Sequence, residues 1–242
     1  MSDNKVALIT GSSQGIGRAI SRRMAAEGYE VVITGRNIAL LEETEKMIKE
    51  AGGKIGLTVP VDLSRPEEIE RLAKTVLDRY STVDLLVNNA GVMHLAPFLE
   101  LQPEKFEEMW AVNMRAVFQL TQLLVPSMIK RGKGGDIVNI ASLAGKNGFK
   151  NGSGYAATKW ALRGWAQCLM LELRQYDIRV ITLFPGSVDT ALGGGAIRAT
   201  QTLPKNKMQA SDIAEAVAMA VKMPQRTMVS EIDLRPSNPQ KQ

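Results

Sequence analysis

"KVALITGSSQGIGRAI", residues 5–20, carries the clearest folding signal of this chain. An apolar, β-forming run is followed by glycines in the spacing Gly11-x-x-x-Gly15-x-Gly17, and then by a segment whose apolar residues recur with helical periodicity. This order predicts a strand, a glycine turn and a helix. Glycines let the backbone turn tightly and approach a phosphate closely, and the free amides of a helix N-terminus attract anions. A tight turn alone would use the same glycines, but their place in a β-α-β unit favours nucleotide binding.

The same alternation of β-rich runs and amphipathic segments continues almost to the end of the chain. We predict strands at 5–10, 30–34, 54–61, 83–89, 136–141, 178–184 and 228–234, most of them nearly continuous apolar runs, as in parallel strands covered on both faces. After the first helix, which Gly28 ends, helices are predicted at 38–51, 66–79, 103–131, 154–174 and 211–222. The pattern predicts an α/β fold: one domain, 1–242, with a doubly wound, Rossmann-like parallel sheet of about seven strands and right-handed crossovers.

Composition excludes several classes of function. The 242 residues carry a formal charge of +5, which is modest and dispersed, so we expect no nucleic-acid partner. Cys168 and His94 are single, which rules out an internal disulfide and effectively rules out a zinc site of the His/Cys type, and no metal site is expected. No apolar run approaches the ~18 residues of a membrane span, and the N-terminus lacks a signal-peptide layout. We therefore expect a cytoplasmic protein without a membrane partner.

The end of the second predicted strand bears on which dinucleotide is bound. An NAD site usually places a carboxylate ~20 residues beyond the glycines, where it grips the ribose hydroxyls. Here the local sequence is "ITGRN", which contains no acid and places Arg36 where it can pair with a 2′-phosphate. The alternatives are an arginine lying flat on adenine or a solvated surface arginine. We favour NADP(H) over NAD(H).

Tyr155 and Lys159, in "SGYAATKWALRG" (153–164), are four residues apart and project from the same face of a predicted helix. Taken alone, such a pair is most often a solvated helix edge. A free tyrosine has a pKa of about 10, and a nearby ammonium together with an oxidised nicotinamide would favour its phenolate form. The pair therefore indicates a catalytic site only in combination with the other motifs of the chain.

Four motifs occur in a specific order: the glycine turn, "NNAG" at 88–91, "ASLAG" at 141–145 and "YAATK" at 155–159. With these the chain resembles the short-chain dehydrogenase/reductase family from Lys5 to about Thr190. The resemblance implies that Tyr155 is the catalytic acid/base, that Lys159 is its partner and also binds the nicotinamide ribose, and that Ser142 binds the substrate oxygen. Asn113 would complete a tetrad, bend its helix and hold a water that supplies protons to the lysine.

The resemblance also implies the cofactor contacts. Asp62 would bind the adenine amino group, Asn89 would lie near the adenosine ribose, and Thr190 would bind the nicotinamide carboxamide. The alternatives without a cofactor contact are a helix cap near Asp62, a turn at Asn89 and an ordinary loop at 185–190. The complete set of expected cofactor-binding residues is Gly11, Ser13, Gly15, Ile16, Gly17, Arg36, Asp62, Asn89, Tyr155, Lys159, Pro185, Gly186, Val188 and Thr190.

The implied reaction is hydride transfer between NADP(H) and a ketone or secondary alcohol. One candidate is a reductase of 3-oxoacyl thioesters, whose acidic carrier would suit the basic "KRGK" at 130–133; another is a reductase of a different small carbonyl compound. The ending "VSEIDLRPSNPQKQ" departs from carrier-protein reductases, many of which end with an aspartate and two glycines. It favours as an alternative an NADP-dependent dehydrogenase of a small hydroxy acid or hydroxy amino acid. A non-catalytic cofactor-sensing protein is least favoured, because all four tetrad residues are present.

The substrate cleft is the least readable part of the sequence. We expect it to be lined by Met93, His94 and Leu95, by 143–154, and by a lid at 190–210. Phe149 is either a substrate-facing aromatic or a packing residue. The resemblance further implies a homo-oligomer, a dimer or tetramer, formed through the helices at 103–131 and 154–174, whose apolar residues could equally belong to the core.

Overall fold

The computed structural model of the chain describes residues 5–192 and 207–238, which form one α/β domain. Its seven strands lie in a single sheet in the order β3-β2-β1-β4-β5-β6-β7, and every neighbouring pair is parallel. The predicted fold class is confirmed. The strands are β1 (Val6–Thr10), β2 (Glu30–Gly35), β3 (Lys54–Pro60), β4 (Leu85–Asn88), β5 (Gly135–Ile140), β6 (Ile178–Pro185) and β7 (Glu231–Leu234).

Helices cover both faces of this sheet. They are α1 (Gly15–Ala26), α2 (Ile38–Glu50), α3 (Pro66–Tyr80), α4 (Pro103–Trp110), α5 (Ala116–Arg131), α6 (Ser153–Leu173) and α7 (Ala210–Lys222). Apolar residues of α3, α5 and α6 form one core cluster against the sheet, and those of α1, α2 and α7 form the other. This explains why the central strands are apolar on both faces. Within the described ranges no helix is both long and apolar enough to cross a lipid bilayer.

Two strands, β4 and β7, are three residues shorter than the sequence predicts. β4 ends at Asn88, because the Asn89 N–H turns back to the Val87 carbonyl (3.1 Å) and does not continue the ladder. β7 begins at Glu231 and not at 228, because the Thr227 N–H closes a turn onto the Pro224 carbonyl (2.7 Å). Apolar composition identified both strands, whereas local turns set their ends.

The single helix predicted at 103–131 is interrupted. A π-helical turn, Ala111–Arg115, separates α4 from α5. Its central residue, Asn113, is buried and directs its side chain out of the helix, where it bonds to the backbone of Val92. A π-helical turn inserts one extra residue into the helical repeat, and such turns are frequent at functional sites. The interruption falls at Asn113, the residue at which the resemblance implies a bend.

A buried ion pair closes the edge of the sheet where the strands begin. Two nitrogens of the Arg179 guanidinium donate to the two carboxylate oxygens of Asp136 (2.6 and 3.0 Å). The same guanidinium donates to the carbonyls of Val221 (2.9 Å) and Met223 (2.8 Å) at the C-terminus of α7. Both charged side chains are almost fully buried. The pair thereby fastens β5 and β6 to α7.

Removing one partner of this pair should destabilise the fold. We expect Arg179→Leu to lower the free energy of unfolding by about 3–5 kcal/mol, because Asp136 would keep a buried charge without its partner. Arg174→Leu is the matched control, since Arg174 is exposed, and it should change the free energy by less than about 0.5 kcal/mol. Urea denaturation followed by circular dichroism measures both, and equal losses would contradict the assignment.

Candidate active site

A pocket of about 910 Å³ opens at the edge of the sheet where the parallel strands end. Its walls come from the segments that follow β1, β2, β3, β4, β5 and β6, because parallel strands bring all their carboxyl ends to one edge. All fourteen residues expected to bind the cofactor line this one pocket, and Ser142 lines it as well. Asn113 lies behind the wall and not in it.

The glycine turn is folded as tightly as its sequence requires. Gly11 and Gly15 have φ angles of +68° and +57°, which side-chain-bearing residues rarely adopt. Gly17 lies so close to the Gly11 carbonyl oxygen that a Cβ atom there would overlap it. The turn therefore presents bare backbone to the pocket at the start of α1, as an anion site requires.

Asn89 holds this turn in place. Its side-chain amide donates to the Thr10 carbonyl (2.8 Å) and the Gly11 carbonyl (3.2 Å), while the Thr10 hydroxyl accepts the backbone N–H groups of Asn89 (2.9 Å) and Ala90 (3.0 Å). Asn89 lines the pocket, as expected, but the donors of its amide are committed to backbone. Its evident role is to fasten the loop after β4 to the turn after β1.

Arg36 lies at the end of β2, on the same side of the pocket as the glycine turn. Its side chain is exposed and makes no hydrogen bond or ion pair within the described part of the chain. The adjoining Gly35 lies against Ser13: a Cβ there would sit 3.5 Å from the Ser13 hydroxyl oxygen. Arg36, the Ser13 hydroxyl and the backbone of the glycine turn thus line the same pocket. This is a donor set suited to a phosphate group.

Asp62 lines the pocket beyond β3, near Arg36. One of its carboxylate oxygens accepts the backbone N–H (2.9 Å) and the hydroxyl (2.8 Å) of Ser64. Partial burial raises the pKa of this carboxyl, but the two bonds from Ser64 and the charges of Arg36 and Arg65 outweigh burial and lower it. Asp62 therefore presents an ionised acceptor to the pocket.

Tyr155 and Ser142 meet in the deeper part of the pocket. Ser142, which follows β5, accepts the Ala144 N–H at its hydroxyl oxygen (3.1 Å), so that its own O–H can donate to the Tyr155 oxygen or to a bound ligand. Burial raises the pKa of the Tyr155 phenol to about 12, and hydrogen bonding with Ser142 offsets only part of that rise. The phenol is therefore protonated throughout the neutral range.

Lys159 lies one helical turn after Tyr155 and is fully buried. Its ammonium donates to the Ile140 carbonyl (3.1 Å) and lies 5.7 Å from the centre of the Tyr155 ring. Burial lowers the pKa of Lys159 to about 8. The expectation that the ammonium and an oxidised nicotinamide together favour the phenolate of Tyr155 stays a prediction, and in the protein alone burial raises the pKa of the phenol.

Asn113 organises the region behind these residues. Its amide accepts the Val92 N–H (2.8 Å) and donates to the Val92 carbonyl (2.9 Å) and the Thr158 hydroxyl (3.1 Å). Thr158 in turn donates to the Tyr155 carbonyl (2.8 Å). The π-helical turn is thereby tied both to the loop after β4 and to the first turn of α6.

The segment after β6 closes the opposite wall. The Gly186 N–H donates to the Leu234 carbonyl (2.8 Å), and Val188 forms a parallel bridge with Met208. Thr190 approaches the glycine turn: its methyl group would lie 3.4 Å from a Cβ at Gly15. The expected lid at 190–210 lies mostly outside the described residues, since 193–206 are not described.

The substrate side of the pocket differs in part from expectation. Met93, Leu95 and Phe149 line it. His94 does not line it: its ring nitrogen lies 3.0 Å from a carboxylate oxygen of Glu108 on α4. Alternation of side chains along an extended loop turns His94 away from its two neighbours.

Several contributing groups were not predicted from the sequence. The Ile140 carbonyl holds Lys159, and no sequence signal marks a backbone acceptor. Thr158 orients Asn113, and its place next to Lys159 in "YAATK" is the one available hint. Gly91 leaves space between Asn113 and Lys159, since a Cβ there would lie 3.3 Å from the amide oxygen and 3.8 Å from the ammonium. Across residues 5–192 and 207–238 no cluster of three His, Cys, Asp or Glu side chains could hold a metal ion.

Comparison with known proteins agrees with this geometry. Residues 5–201 match the family model described as short chain dehydrogenase. An uncharacterized oxidoreductase of Staphylococcus saprophyticus is 35% identical over 96% of this chain and 97% of its own length.

Solved structures are similarly close. An alcohol dehydrogenase from the archaeon Thermococcus sibiricus, complexed with 5-hydroxy-NADP, has a TM-score of 0.89 at 33% identity, over 99% of this chain and 100% of that one. A variant of actinorhodin polyketide ketoreductase with NADPH has a TM-score of 0.87 at 32% identity, over 97% of both chains. With its glycine turn, Tyr155, Lys159 and Ser142 gathered in one pocket, this chain belongs to the short-chain dehydrogenase family of oxidoreductases.

Proposed function

We propose that the protein transfers a hydride between NADP(H) and a ketone or secondary alcohol, and that it works mainly as a carbonyl reductase. The observation that carries this proposal is that Tyr155, Ser142 and Lys159 open into the same pocket as the glycine turn. A proton donor and a dinucleotide site thereby share one continuous space. The retained tetrad argues against a cofactor-sensing protein without turnover.

The residues present fit such a cofactor. Side chains at Gly11 and Gly17 would fill the cradle beside α1, and Arg36 has a guanidinium free to meet a 2′-phosphate. The similar alcohol dehydrogenase and polyketide ketoreductase were crystallised with NADP-type cofactors, which supports the same choice here. When bound, the cofactor supplies the hydride. Asp62, Asn89 and Thr190 are proposed as further contacts for its adenosine and nicotinamide ends.

The chain itself supplies the proton and its control. Ser142 donates its O–H to the substrate carbonyl oxygen and orients it towards Tyr155. Tyr155, neutral at pH 7, gives its proton to the same oxygen as the alcohol forms. The nearby charge of Lys159 then stabilises the phenolate that remains. Asn113 hydrogen-bonds both to the loop after β4 and to α6, and it thereby helps to position Tyr155 and Lys159.

The substrate is proposed to be a 3-oxoacyl thioester or another carbonyl compound. The similarity to a polyketide ketoreductase supports this choice over a small hydroxy acid or hydroxy amino acid. The basic run at 130–133 does not support carrier docking at the site, because α5 ends there, at the edge of the sheet opposite the pocket. Arg131 in that run is engaged by Asp84 and by the Gly134 carbonyl.

Replacement of the proton donor tests the reaction. Tyr155→Phe should lower the turnover of acetoacetyl-CoA by about 10²–10⁴-fold, because it removes only the transferable proton. NADPH consumption followed by absorbance measures this, and NADPH affinity should stay nearly intact. Tyr176→Phe, at an exposed position outside the pocket, is the control and should keep normal turnover. Near-normal turnover by the Tyr155→Phe variant would show that Tyr155 is not the proton donor.

Replacement of Arg36 tests the choice of dinucleotide. Arg36→Ala should weaken NADPH binding by about 10–100-fold, the value of a charge-assisted phosphate contact, and NADH binding by less than about threefold. Dissociation constants from cofactor fluorescence provide the comparison. Arg22→Ala, on the exposed side of α1, serves as the matched control and should affect neither cofactor. Equal losses for both cofactors would show that Arg36 packs on adenine.

We propose in addition that the chain forms a dimer or tetramer through the helices at 103–131 and 154–174. Trp110, Phe118 and Trp160 are each about half exposed on α4, α5 and α6. These helices touch one another, since the Phe118 ring meets that of Trp165 edge-on, with centroids 6.5 Å apart. Large exposed apolar side chains on helices that touch one another are typical of an interface.

Sedimentation velocity tests the assembly. The wild type should sediment as a dimer or tetramer, and Trp160→Lys should shift it towards the monomer, because a charge would be buried in the interface. Met219→Lys places the same charge on exposed α7, on the opposite face of the sheet, and should leave the assembly unchanged. A monomeric wild type at micromolar concentration would contradict the proposal.

A further inference from the structure

Tyr155 belongs to a small apolar cluster and lines the pocket together with Ser142 and Lys159. Tyr155 packs in one small cluster with Ala144, and Val92 and Met93 pack against that cluster. A substrate whose carbonyl meets Tyr155 and Ser142 therefore extends its remaining atoms along apolar side chains.

Three larger apolar side chains line the same pocket and remain about half exposed. The exposed fractions are 50% for Leu95, 45% for Phe149 and 45% for Leu192. They come from three separate segments: the loop after β4, the loop before α6 and the segment after β6. Single exposed apolar residues are ordinary, but several that converge on one concave site are typical of a ligand pocket. We call these three residues the apolar wall.

The position of Phe149 in this wall is held by its own loop. Its ring lies against Gly152, where any Cβ would overlap the ring, and the Gly152 N–H donates to the Phe149 carbonyl (3.2 Å). The Ala96 N–H donates to the Asn151 carbonyl (3.1 Å), which joins the loop of Leu95 to the loop of Phe149. Two members of the wall are therefore held together by backbone bonds.

The charges of the pocket do not favour an acidic substrate. Of the described residues that line it, three are cationic: Arg36, Lys159 and Lys207. Arg36 lies beside the glycine turn, at the cofactor end, and Lys159 donates to the Ile140 carbonyl. Lys207 lies 3.7 Å from a carboxylate oxygen of Asp189. Lys159 and Lys207 thus each lie near another partner, and Arg36 lies away from the wall. A carboxylate bound at the wall would need a cation beside it to pair with its charge.

Building on the reductase function proposed above, we propose that the apolar wall selects ketones that carry an uncharged propyl group or larger, including a phenyl ring. The carbonyl oxygen lies at Ser142 and Tyr155, and the apolar group of the substrate covers Leu95, Phe149 and Leu192. This arrangement accounts for three half-exposed apolar side chains around one opening. It also makes small hydroxy acids poor substrates.

Matched diketones test this selection with the intact enzyme and NADPH. Diacetyl and acetylbutyryl differ only by extension of one methyl group to propyl, and α-ketovalerate keeps the propyl group but carries a carboxylate in place of the acetyl group. We expect kcat/KM to be at least about tenfold higher for acetylbutyryl than for diacetyl, since each buried methylene contributes about fourfold. We expect α-ketovalerate to be at least about 100-fold poorer than acetylbutyryl, because it would bring an unpaired charge against the wall.

Variants locate the effect in the wall. Phe149→Ala and, separately, Leu95→Ala should reduce the preference for acetylbutyryl over diacetyl to within about threefold. Phe98→Ala is the matched control, because Phe98 is 78% exposed in the same loop as Leu95 and does not line the pocket. It should leave the preference and the rates unchanged.

The outcomes separate the two proposals. If the wild type reduces both diketones with equal efficiency, or if Phe149→Ala and Leu95→Ala lower both rates equally, the apolar wall does not select and this inference is overturned while the reductase function stands. Efficient reduction of α-ketovalerate would overturn it in the same way. If NADPH binds but no carbonyl compound is reduced in a Tyr155-dependent manner, the reductase function fails and the inference fails with it.

Discussion

The close backbone approach at Gly17 is the constraint on which the rest of the site depends. With no Cβ at Gly17, the start of α1 lies directly against the Gly11 carbonyl and the Asn89 amide. That contact lets Asn89 fasten the loop after β4 to the turn after β1. The loop then continues to Val92, whose backbone N–H donates to the Asn113 side chain. One missing side chain thus allows two strand ends and a helix to meet around a single pocket.

Burial is the largest cause of the pKa shifts of Tyr155 and Lys159. Desolvation raises the pKa of Tyr155 to about 12 and lowers that of Lys159 to about 8, so each group is pushed towards its neutral form. The protein therefore holds an ammonium where it is least stable, with the Ile140 carbonyl as a compensating acceptor. A buried ammonium favours a nearby phenolate more strongly than an exposed one does, because water shields its charge less.

The two ends of the pocket differ in the polarity of the residues that line them. At the glycine turn it presents backbone amides and Arg36, which suit a phosphate-bearing cofactor. Beyond Tyr155 it presents the apolar wall, in which Phe149 is held by its contact with Gly152. The boundary between the two regions falls at Ser142 and Tyr155. The polar and the apolar parts of the pocket thereby come from different loops of the same sheet edge.

The sequence by itself determined the order of strands and helices, the parallel sheet and the motif residues, because apolar periodicity and glycine spacing are local properties. It did not determine the π-helical turn at Asn113, the orientation of His94 towards Glu108, or the role of Phe149 in the pocket. Nor did it show that burial would raise the pKa of Tyr155. These features depend on contacts between segments far apart in the chain and on the exclusion of water, which arise only when the sheet edge is assembled.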